Sequence, residues 1–329
     1  MNIAVIGLGS MGQRRIRLLR EIDRNINIYG IDISLEKCKA AEKKYQIKTN
    51  CNLLEVLRQK VIDVVIVSCD PVCHYEKIYE ALNHNCSVFT EINIVSMDTE
   101  NLLQLVKDKG LTLFISSTMM YRKETKYIKD VVKDNDYKVC YNYHVGQYLS
   151  DWHPWESYKN FFVGNKKTNA CREIMAIEFP WLADAFGDIS NITSKSRKIS
   201  SLDIDYPDSI HMIIEHTSGV IGTMNIDVVS RQGSRKFELI GENVIISWDG
   251  TPTGLKSFDL SSGIFQSIDL YANISQINEK NKTIIENAYK DELLNFFHVL
   301  SGEEVPRHSF ERDAKIIELI DNMEDHYAD

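Results

Sequence analysis

Three glycines at a fixed spacing near the start of the chain form a pattern that can hold a phosphate group. They are Gly7, Gly9 and Gly12, in the order G-x-G-x-x-G. They follow an apolar run over 3–6 that predicts a short strand. The first glycine permits a tight turn off that strand, the second lets the backbone approach a pyrophosphate, and the third lets the next helix pack closely. The sequence therefore predicts a dinucleotide site at the first strand.

An acidic residue completes this pattern. A second predicted strand ends on Asp32, about 20 residues past the glycines, where a carboxylate binds the ribose of adenosine. Ser10 and Met11 begin the intervening helix, whose N-terminal amides face the anion. Because a carboxylate repels a 2′-phosphate, the pattern predicts NAD in preference to NADP. Two neighbouring cations, Arg14 and Arg15, would weaken that preference.

Residues 1–117 alternate apolar strands with amphipathic helices, which predicts an α/β domain with a doubly wound parallel sheet. Beyond the first two strands, we expect strands over 61–68, 87–91 and 111–116, and helices near 35–44, 72–84 and 98–109. Ligands of such sheets lie beyond the carboxyl ends of the strands. The same crevice as the glycines should therefore contain Cys69, Asp70 and Glu91, with His74 on the first turn of its helix.

From residue 118 to 329 the pattern predicts a second, α+β domain with a largely antiparallel sheet. After one helix near 123–135, the predicted strands are 209–217, 220–229, 236–240 and 244–248, and the predicted terminal helices are 283–301 and 309–326. The terminal helices are candidates to pack back toward the first domain.

Composition excludes several classes of partner. The net charge of −9 and the scattered lysines and arginines argue against nucleic acid. No apolar run approaches the length of about 20 residues that spans a bilayer, so we expect a cytoplasmic protein without membrane contact. The seven cysteines form no C-x-x-C pair and should be reduced thiols. His211, Glu215 and His216 match no zinc motif, so no metal is expected.

Several segments together resemble the Gfo/Idh/MocA family of NAD(P)-dependent sugar and cyclitol dehydrogenases. They are Gly7-Leu8-Gly9-Ser10-Met11-Gly12-Gln13-Arg14-Arg15, Ile62 to Val67 with Asp70-Pro71 and His74, Val88-Phe89-Thr90-Glu91, Met119-Met120-Tyr121-Arg122, and the end from Asp291 to Ile320. The resemblance implies a Rossmann domain, an open-faced second domain whose sheet commonly forms an oligomer interface, and hydride transfer at a sugar carbon. In the family, a lysine and a histidine usually handle the proton of the reacting hydroxyl.

The chain departs from the family at the residues that carry this chemistry. The family's Glu-Lys-Pro is Glu91-Ile92-Asn93 here, and isoleucine can neither donate nor accept a proton. In the second family signature the histidine falls on Ile177 or Glu178, depending on the alignment, and the aspartate is also absent. Glu178 is the candidate acid or base there, with a solvated or salt-bridged helix residue as the alternative.

A polar and aromatic cluster at 147–156 precedes that signature and predicts a binding loop. Trp152 and Trp155 offer flat apolar faces to a pyranose ring or a base, and an aromatic satellite core is the equal alternative. His153 and His144 are candidate replacements for proton transfer. The candidate substrate-binding residues are Asn93, Arg122, Trp152 and Trp155, and the candidate catalytic residues are Glu178 and His153.

These observations leave two classes of function. The first is an NAD(P)-dependent oxidoreductase acting on a sugar, amino sugar or nucleotide sugar, with a relocated proton-handling group. The second is a catalytically silent relative that binds a nucleotide or sugar and regulates or scaffolds a carbohydrate pathway. In both classes the family resemblance implies a homo-oligomer, a dimer or a tetramer.

Overall fold

A computed structural model of the chain describes residues 1–95, 98–274 and 284–325. The chain divides into two compact units. Unit 1 contains residues 1–117 and 289–315, and unit 2 contains residues 118–288 and 316–329.

Unit 1 is built on a six-stranded sheet in which every pairing is parallel. Its strands are β1 (Asn2–Ile6), β2 (Asn27–Ile31), β3 (Lys48–Asn50), β4 (Val64–Val67), β5 (Ser87–Thr90) and β6 (Leu113–Ile115), in the spatial order β3-β2-β1-β4-β5-β6. This order reverses between β1 and β4, as in a doubly wound nucleotide-binding sheet. The predicted Rossmann architecture is confirmed.

The helices of unit 1 connect these strands. They are α1 (Ser10–Ile22), α2 (Leu35–Tyr45), α3 (Leu53–Gln59), α4 (His74–Asn83) and α5 (Thr99–Lys109). Local capping sets several of their starts, since the side chains of Ser34, Asn52 and Asp98 each accept a hydrogen bond from a backbone amide of the first turn. Gly110 ends α5 with a φ of +62°, a conformation that favours glycine.

Unit 2 contains an eight-stranded, largely antiparallel sheet beside two helices. Its elements are α6 (Lys123–Asp134), β7 (Val139–Gly146), α7 (Ala170–Phe186), β8 (Ile189–Arg197), β9 (Ser209–His216), β10 (Ile221–Asp227), β11 (Ser234–Gly241), β12 (Val244–Trp248), β13 (Lys256–Asp259) and β14 (Ile264–Ser267). Their spatial order is β14-β13-β12-β11-β7-β10-β9-β8, and β7 with β10 is the parallel pair. The predicted α+β class of this domain is confirmed.

Burial alternates along the strands of this sheet. Tyr141 and Tyr143 of β7 are buried and contact aromatic rings of α7. His144 and the other intervening residues face the opposite side, as the two-residue period of a strand requires. The sheet therefore has one face covered by helices and one face that is exposed.

Two helices close the described chain, α8 (Glu286–Leu300) and α9 (Phe310–Asp325). Residues 289–315, from α8 into α9, belong to unit 1, and Phe310 packs into the hydrophobic core of that unit. Residues 283 and 326, where we expected the two helices to begin and end, lie outside the described residues.

Three further observations bear on the class of protein. No helix within the described ranges is long and apolar enough to cross a membrane. All seven cysteines are free thiols. Among the described side chains, no group of three or more His, Cys, Asp or Glu residues could hold a metal ion. His211 and Glu215 are exposed on β9 whereas His216 is buried, so these three face opposite sides of the sheet.

Candidate functional site

The first glycine of the loop after β1 makes the turn that the sequence pattern predicts. Gly7 has a φ of +85°, and its amide donates to the carbonyl of Ile31 at 2.8 Å. A Cβ at this position would lie 2.4 Å from the carbonyl oxygen of Ser68. Both the dihedral angle and the neighbouring backbone therefore require glycine here.

The other two glycines have opposite surroundings. A Cβ on Gly12 would lie 1.8 Å from the carbonyl oxygen of Gly7, so this glycine lets α1 pack against the turn. A Cβ on Gly9 would meet no protein atom within 4 Å, although Gly9 is the N-cap of α1 and has no side chain to cap it. The space beside Gly9, at the amide-rich end of a helix that has no acidic residue in its first turn, fits the pyrophosphate that the pattern implies. Ser10 there is exposed and Met11 is half-buried.

Asp32 lies at the end of β2 and is tied to the glycine loop. One carboxylate oxygen accepts from the amide of Leu8 at 2.8 Å, and the other accepts from the amide of Ser34 at 2.8 Å. Asp32 is 8% exposed. Since each carboxylate oxygen can accept more than one hydrogen bond, Asp32 can hold the loop and still accept from a ribose hydroxyl.

The segment after β4 forms a tight turn in which two side chains hydrogen-bond to the backbone. Asp70 caps it by accepting from the amide of Val72 at 3.1 Å. Nε2 of the buried His74 lies 3.0 Å from the carbonyl of Cys69 and donates to it. Burial lowers the pKa of His74 and raises that of Cys69 to about 12. Both groups are therefore neutral near pH 7, and Asp70 with His74 shapes the turn.

Glu91, at the end of β5, is held by a residue whose role we did not foresee. Arg15 of α1 makes two hydrogen bonds to its carboxylate, from Nε at 2.8 Å and from NH2 at 3.0 Å. The guanidinium is fully buried, whereas the Glu91 side chain keeps 14% exposure. From the sequence, Arg15 stands out only for its influence on the choice of nucleotide. The sequence signal that could have revealed the burial of Arg15 is its position three residues after Gly12, on the apolar face of α1.

Asn93 takes the place of the family's proline with a backbone that proline cannot adopt. Its φ is +61° and the residue is fully buried, whereas the proline ring holds φ near −65°. The loop after β5 therefore follows a course that the Glu-Lys-Pro sequence does not permit at this position. A buried non-glycine residue with positive φ stores strain, and such residues cluster at functional sites.

Arg122, a candidate for substrate binding, is buried in unit 2 and paired. Its Nε and NH2 donate to the carboxylate of Glu124 at 3.0 and 2.6 Å, and NH2 also donates to the carbonyl of Gly250 at 3.1 Å. The guanidinium lies 5.1 Å from the centre of the Trp248 ring system. These contacts give Arg122 a structural role at the start of α6.

The loop before α7 gathers aromatic rings around His153. The His153 ring lies 4.8 Å from that of Trp155 and 3.9 Å from that of Phe161. Nδ1 lies 2.8 Å from a carboxylate oxygen of Glu156. Trp155 is 72% exposed and Trp152 is half-buried. A flat, exposed ring beside a carboxylate-oriented imidazole is an arrangement that can bind a sugar face and exchange a proton.

Glu178 is fully buried on α7, on the helix-covered side of the sheet. Its carboxylate accepts from the hydroxyl of Tyr143 at 2.6 Å and from the indole of Trp181 at 2.7 Å. Arg235 donates to its other oxygen, from Nε at 3.0 Å and from NH2 at 2.5 Å. Four hydrogen bonds, two of them from the partly buried Arg235, favour a structural ion pair, which is one of the alternatives that the sequence left open.

His144 lies on the opposite face of the same sheet. Its Nε2 lies 2.7 Å from Oδ2 of Asp227. That carboxylate is also held by the amides of Val229 and Ser230 and by the Ser230 hydroxyl. Burial raises the pKa of Asp227, but His144 and these donors outweigh it and keep the pKa below its usual value. An ionised aspartate that orients a half-exposed histidine is a suitable arrangement for proton exchange.

Unit 1 thus brings most of the predicted nucleotide-site residues to one edge of its sheet. The glycine loop, Asp32, the Cys69–His74 turn and Glu91 follow the carboxyl ends of β1, β2, β4 and β5. The candidates in unit 2 do not converge in the same way, since Glu178 and His144 lie on opposite faces of one sheet.

Comparison with known proteins finds a family model that matches the first part of the chain. Residues 1–117 match the model of the Gfo/Idh/MocA oxidoreductase family, NAD-binding Rossmann fold. A stretch of 92 residues is 30% identical to the inositol 2-dehydrogenase of Renibacterium salmoninarum and spans 28% of each chain.

Solved structures share the fold over nearly the whole length. The WlbA dehydrogenase of Chromobacterium violaceum, in complex with NADH and UDP-GlcNAcA, has a TM-score of 0.76 and 16% identity, over 98% of this chain and 92% of that one. Levoglucosan dehydrogenase, in complex with NADH, has a TM-score of 0.81 and 13% identity, over 100% and 96%. At these identities the likeness concerns the fold alone.

Proposed function

We propose that the chain is an NAD-dependent dehydrogenase or reductase, since its first 117 residues match the Gfo/Idh/MocA oxidoreductase family. Its substrate is a sugar, an amino sugar or a nucleotide sugar, and the reaction transfers a hydride to or from a CH–OH carbon. The observation that carries the proposal is the glycine loop. Each of its three glycines meets a different geometric requirement of dinucleotide binding. Gly7 makes the tight turn, Gly9 leaves space for the pyrophosphate, and Gly12 lets α1 pack closely.

The residues of unit 1 have separate tasks in this proposal. Backbone amides of Ser10 and Met11, at the N-terminus of α1, bind the pyrophosphate, and Gly9 leaves room for it. Asp32 accepts from the adenosine ribose and disfavours a 2′-phosphate, which supports NAD over NADP. Glu91, with its carboxylate held in place by Arg15, accepts hydrogen bonds at the other end of the nucleotide. Bound there, the nicotinamide supplies hydride chemistry.

Proton transfer must come from elsewhere, because Ile92 replaces the family's lysine. Glu178 stays a candidate, but protonation of its fully buried carboxylate would leave the partly buried Arg235 without its counter-ion, which is costly. His153 is the stronger candidate, because Glu156 orients its ring and it lies in the aromatic loop. His144 with Asp227 is the second histidine with the required chemistry. Trp155 and Trp152 would bind the sugar by stacking.

The experiment that tests the nucleotide site adds a side chain beside the pyrophosphate position. The backbone at Gly9, with φ −73°, accepts valine, and its Cβ would meet no protein atom. We therefore expect Gly9→Val to fold as the wild type and to bind NADH at least about tenfold more weakly, a loss of about 1.4 kcal/mol. Isothermal titration with NADH and NADPH measures it, with tighter binding of NADH expected for the wild type.

The matched control is Gly233→Val, because a Cβ at this exposed glycine of unit 2 would also meet nothing within 4 Å. It should bind NADH as the wild type does. Wild-type protein that binds neither nucleotide, or a Gly9→Val variant with unchanged affinity, would overturn the proposed site.

A pair of histidine variants then tests the proton-transfer group. With a nucleotide sugar that the protein oxidises, His153→Gln should lower kcat by about 100-fold and remove the acidic limb of the pH profile, since a general base acts only when it is deprotonated and contributes about this much. His144→Gln serves as the comparison. The assignment moves to His144 if that variant alone loses the limb, and fails for both histidines if neither profile changes.

One observation favours a second candidate function, a catalytically silent relative that binds a nucleotide or sugar and regulates or scaffolds a pathway. Ile92 and Asn93 replace the lysine and proline of the family signature, and the positive φ of Asn93 departs from any backbone that proline could adopt. This candidate predicts nucleotide binding without turnover. Tight binding of NADH together with an unchanged NADH absorbance against a panel of sugars and nucleotide sugars would favour it.

A further inference from the structure

A buried cation of unit 1 is held between one fully buried and one mostly buried carboxylate. NH1 of Arg15 lies 2.8 Å from a carboxylate oxygen of Glu292 on α8, while Nε and NH2 bind Glu91. The side chains of Arg15 and Glu292 have no exposed surface. One guanidinium without exposed surface therefore faces two carboxylates, of which Glu292 is fully buried and Glu91 is mostly buried.

Backbone and hydroxyl groups complete this cluster. The amide of Ser117 donates to Glu292 at 2.6 Å, and the hydroxyl of Ser116 donates to the same oxygen at 3.1 Å. The guanidinium also lies 4.4 Å from the ring centre of Phe89 and 5.6 Å from that of Tyr289. Aromatic walls of this kind exclude water and keep the interaction between charges strong.

The charges of the cluster do not balance when both glutamates are ionised. Burial raises the pKa of both carboxyl groups, but the charge of Arg15 outweighs it at Glu91 and leaves the pKa of Glu91 below its usual value. At Glu292 burial prevails, and the proximity of Glu91 adds to it, so the pKa of Glu292 is raised. Arg15 itself stays protonated. The cluster is neutral while Glu292 holds a proton and carries one negative charge once it loses it.

The position of the cluster relates this charge to the nucleotide. Glu91 follows β5, Ser116 follows β6, and the hydroxyl of Ser68, after β4, donates to Glu91 at 3.3 Å. These three strands form the second half of the doubly wound sheet, whereas Asp32 ends β2 in the first half. Each half takes one mononucleotide. With adenosine at Asp32, the nicotinamide ring belongs beside the ends of β4, β5 and β6.

We propose that Arg15, Glu91 and Glu292 form a site that selects the charge state of the nicotinamide ring and favours the cationic ring of NAD⁺ over the neutral ring of NADH. The proposal rests on the proposed function. Glu292 is a positioning and charge-setting residue here, because it acts through the cluster and not by contact with substrate. The consequence is a dehydrogenase biased toward the oxidised nucleotide.

The sign of the pH dependence follows from the groups that face Glu292 and Glu91. Arg15 of α1, Glu91 after β5 and Tyr289 of α8 surround Glu292, with Arg14 stacked on Tyr289 at 4.3 Å. His74 of α4, which also faces Glu91, is neutral. Loss of the Glu292 proton as pH rises therefore adds one negative charge, and preference for NAD⁺ must rise with it. By linkage, NAD⁺ binding must release a proton that NADH binding does not.

The experiment compares the dissociation constants of NAD⁺ and NADH from about pH 5 to about pH 9, a range that begins near the ordinary pKa of a carboxyl group and reaches the highest values known for buried glutamates. For the wild type, the ratio Kd(NADH)/Kd(NAD⁺) should rise with pH. In Glu292→Gln the ratio should be flat and about fivefold lower at the alkaline end, as expected for loss of one charge near the ring. The control is Glu100→Gln, an exposed carboxylate of α5, which removes the same charge from the chain and should leave the ratio unchanged.

A second measurement uses the wild type alone, so it does not depend on whether Glu292→Gln folds. Titration of NAD⁺ and of NADH in two buffers with different ionisation enthalpies should show proton release for NAD⁺ only. Equal proton release for both nucleotides, or a Glu292→Gln ratio equal to that of Glu100→Gln, would overturn the inference while leaving the nucleotide site intact. Failure to bind either nucleotide would instead overturn the proposed function.

Discussion

Buried or partly buried arginines paired with glutamates recur among the residues that the sequence marks as functional candidates. Arg15 pairs with Glu91, Arg122 pairs with Glu124, and Arg235 pairs with Glu178. A buried charge without its partner is strongly destabilising. Such pairs therefore hold their side chains in place, whatever further role one member has at an exposed edge.

Glu178 provides a residue-scale prediction that separates structural support from proton transfer. Glu178→Gln removes the counter-ion of the partly buried Arg235 and weakens its hydrogen bonds, so the free energy of unfolding should fall by about 2 kcal/mol. Chemical denaturation at neutral pH measures this. Glu238→Gln, at an exposed position of β11, is the control and should change it by less than about 0.5 kcal/mol. Unchanged stability in Glu178→Gln with a lost limb of the pH profile would instead assign proton transfer to Glu178.

At the scale of elements, the glycine loop and α1 form one unit with divided tasks. Gly12 lets α1 pack against the turn, whereas Gly9 leaves open space at the N-terminus of α1. The same alanine substitution should therefore have different effects at these two positions.

We expect Gly12→Ala to lower the stability of unit 1, because its Cβ would lie 1.8 Å from the carbonyl oxygen of Gly7 and the helix must shift. A loss of about 2 kcal/mol is typical of overpacking. Gly9→Ala should keep the free energy of unfolding within about 0.5 kcal/mol. Denaturation curves of both variants test this, and equal losses of stability would contradict the division of tasks.

At the scale of the whole molecule, the exposed face of the unit 2 sheet offers a surface for assembly. Ile221 and Ile240 are 52% and 37% exposed, and both are in register with Cys140 of β7 between them. Ile213 of β9 is exposed on the same face. Apolar residues in register across neighbouring strands form a continuous patch, and such patches mark interaction sites. A second copy of the chain is the occupant that the family resemblance implies.

The double variant Ile221→Lys and Ile240→Lys should therefore lower the oligomeric state. Each lysine would carry a charge into the buried centre of the interface. Light scattering coupled to size exclusion measures the molar mass, which we expect to exceed the chain mass of 37.9 kDa in the wild type and to decrease in the variant. Ile264→Lys, on the exposed strand β14, is the control. A monomeric wild type, or an unchanged mass in the double variant, would refute this surface.

Elements with strong periodicity were predictable, and short polar ones were not. The expected strand at 87–91 corresponds to β5, and the expected helix at 98–109 corresponds to α5. The strand β3, Lys48–Asn50, was missed because its three polar residues carry no apolar alternation, and it forms only by pairing with β2. The expected strand at 61–68 is shorter in β4, since Val61 is 78% exposed before it.

The sequence by itself determined the fold class and the residues of the proposed nucleotide site. Local steric rules govern a glycine turn, a helix N-terminus and a strand-terminal acid, so the identities and spacing of Gly7, Gly9, Gly12 and Asp32 carry the information. Tertiary structure alone decided the partners of the charged side chains. Arg15 and Glu292 are 277 residues apart in the numbering, yet they meet in the core of unit 1. No local pattern encodes such a pairing, because burial and charge balance depend on which distant elements pack together.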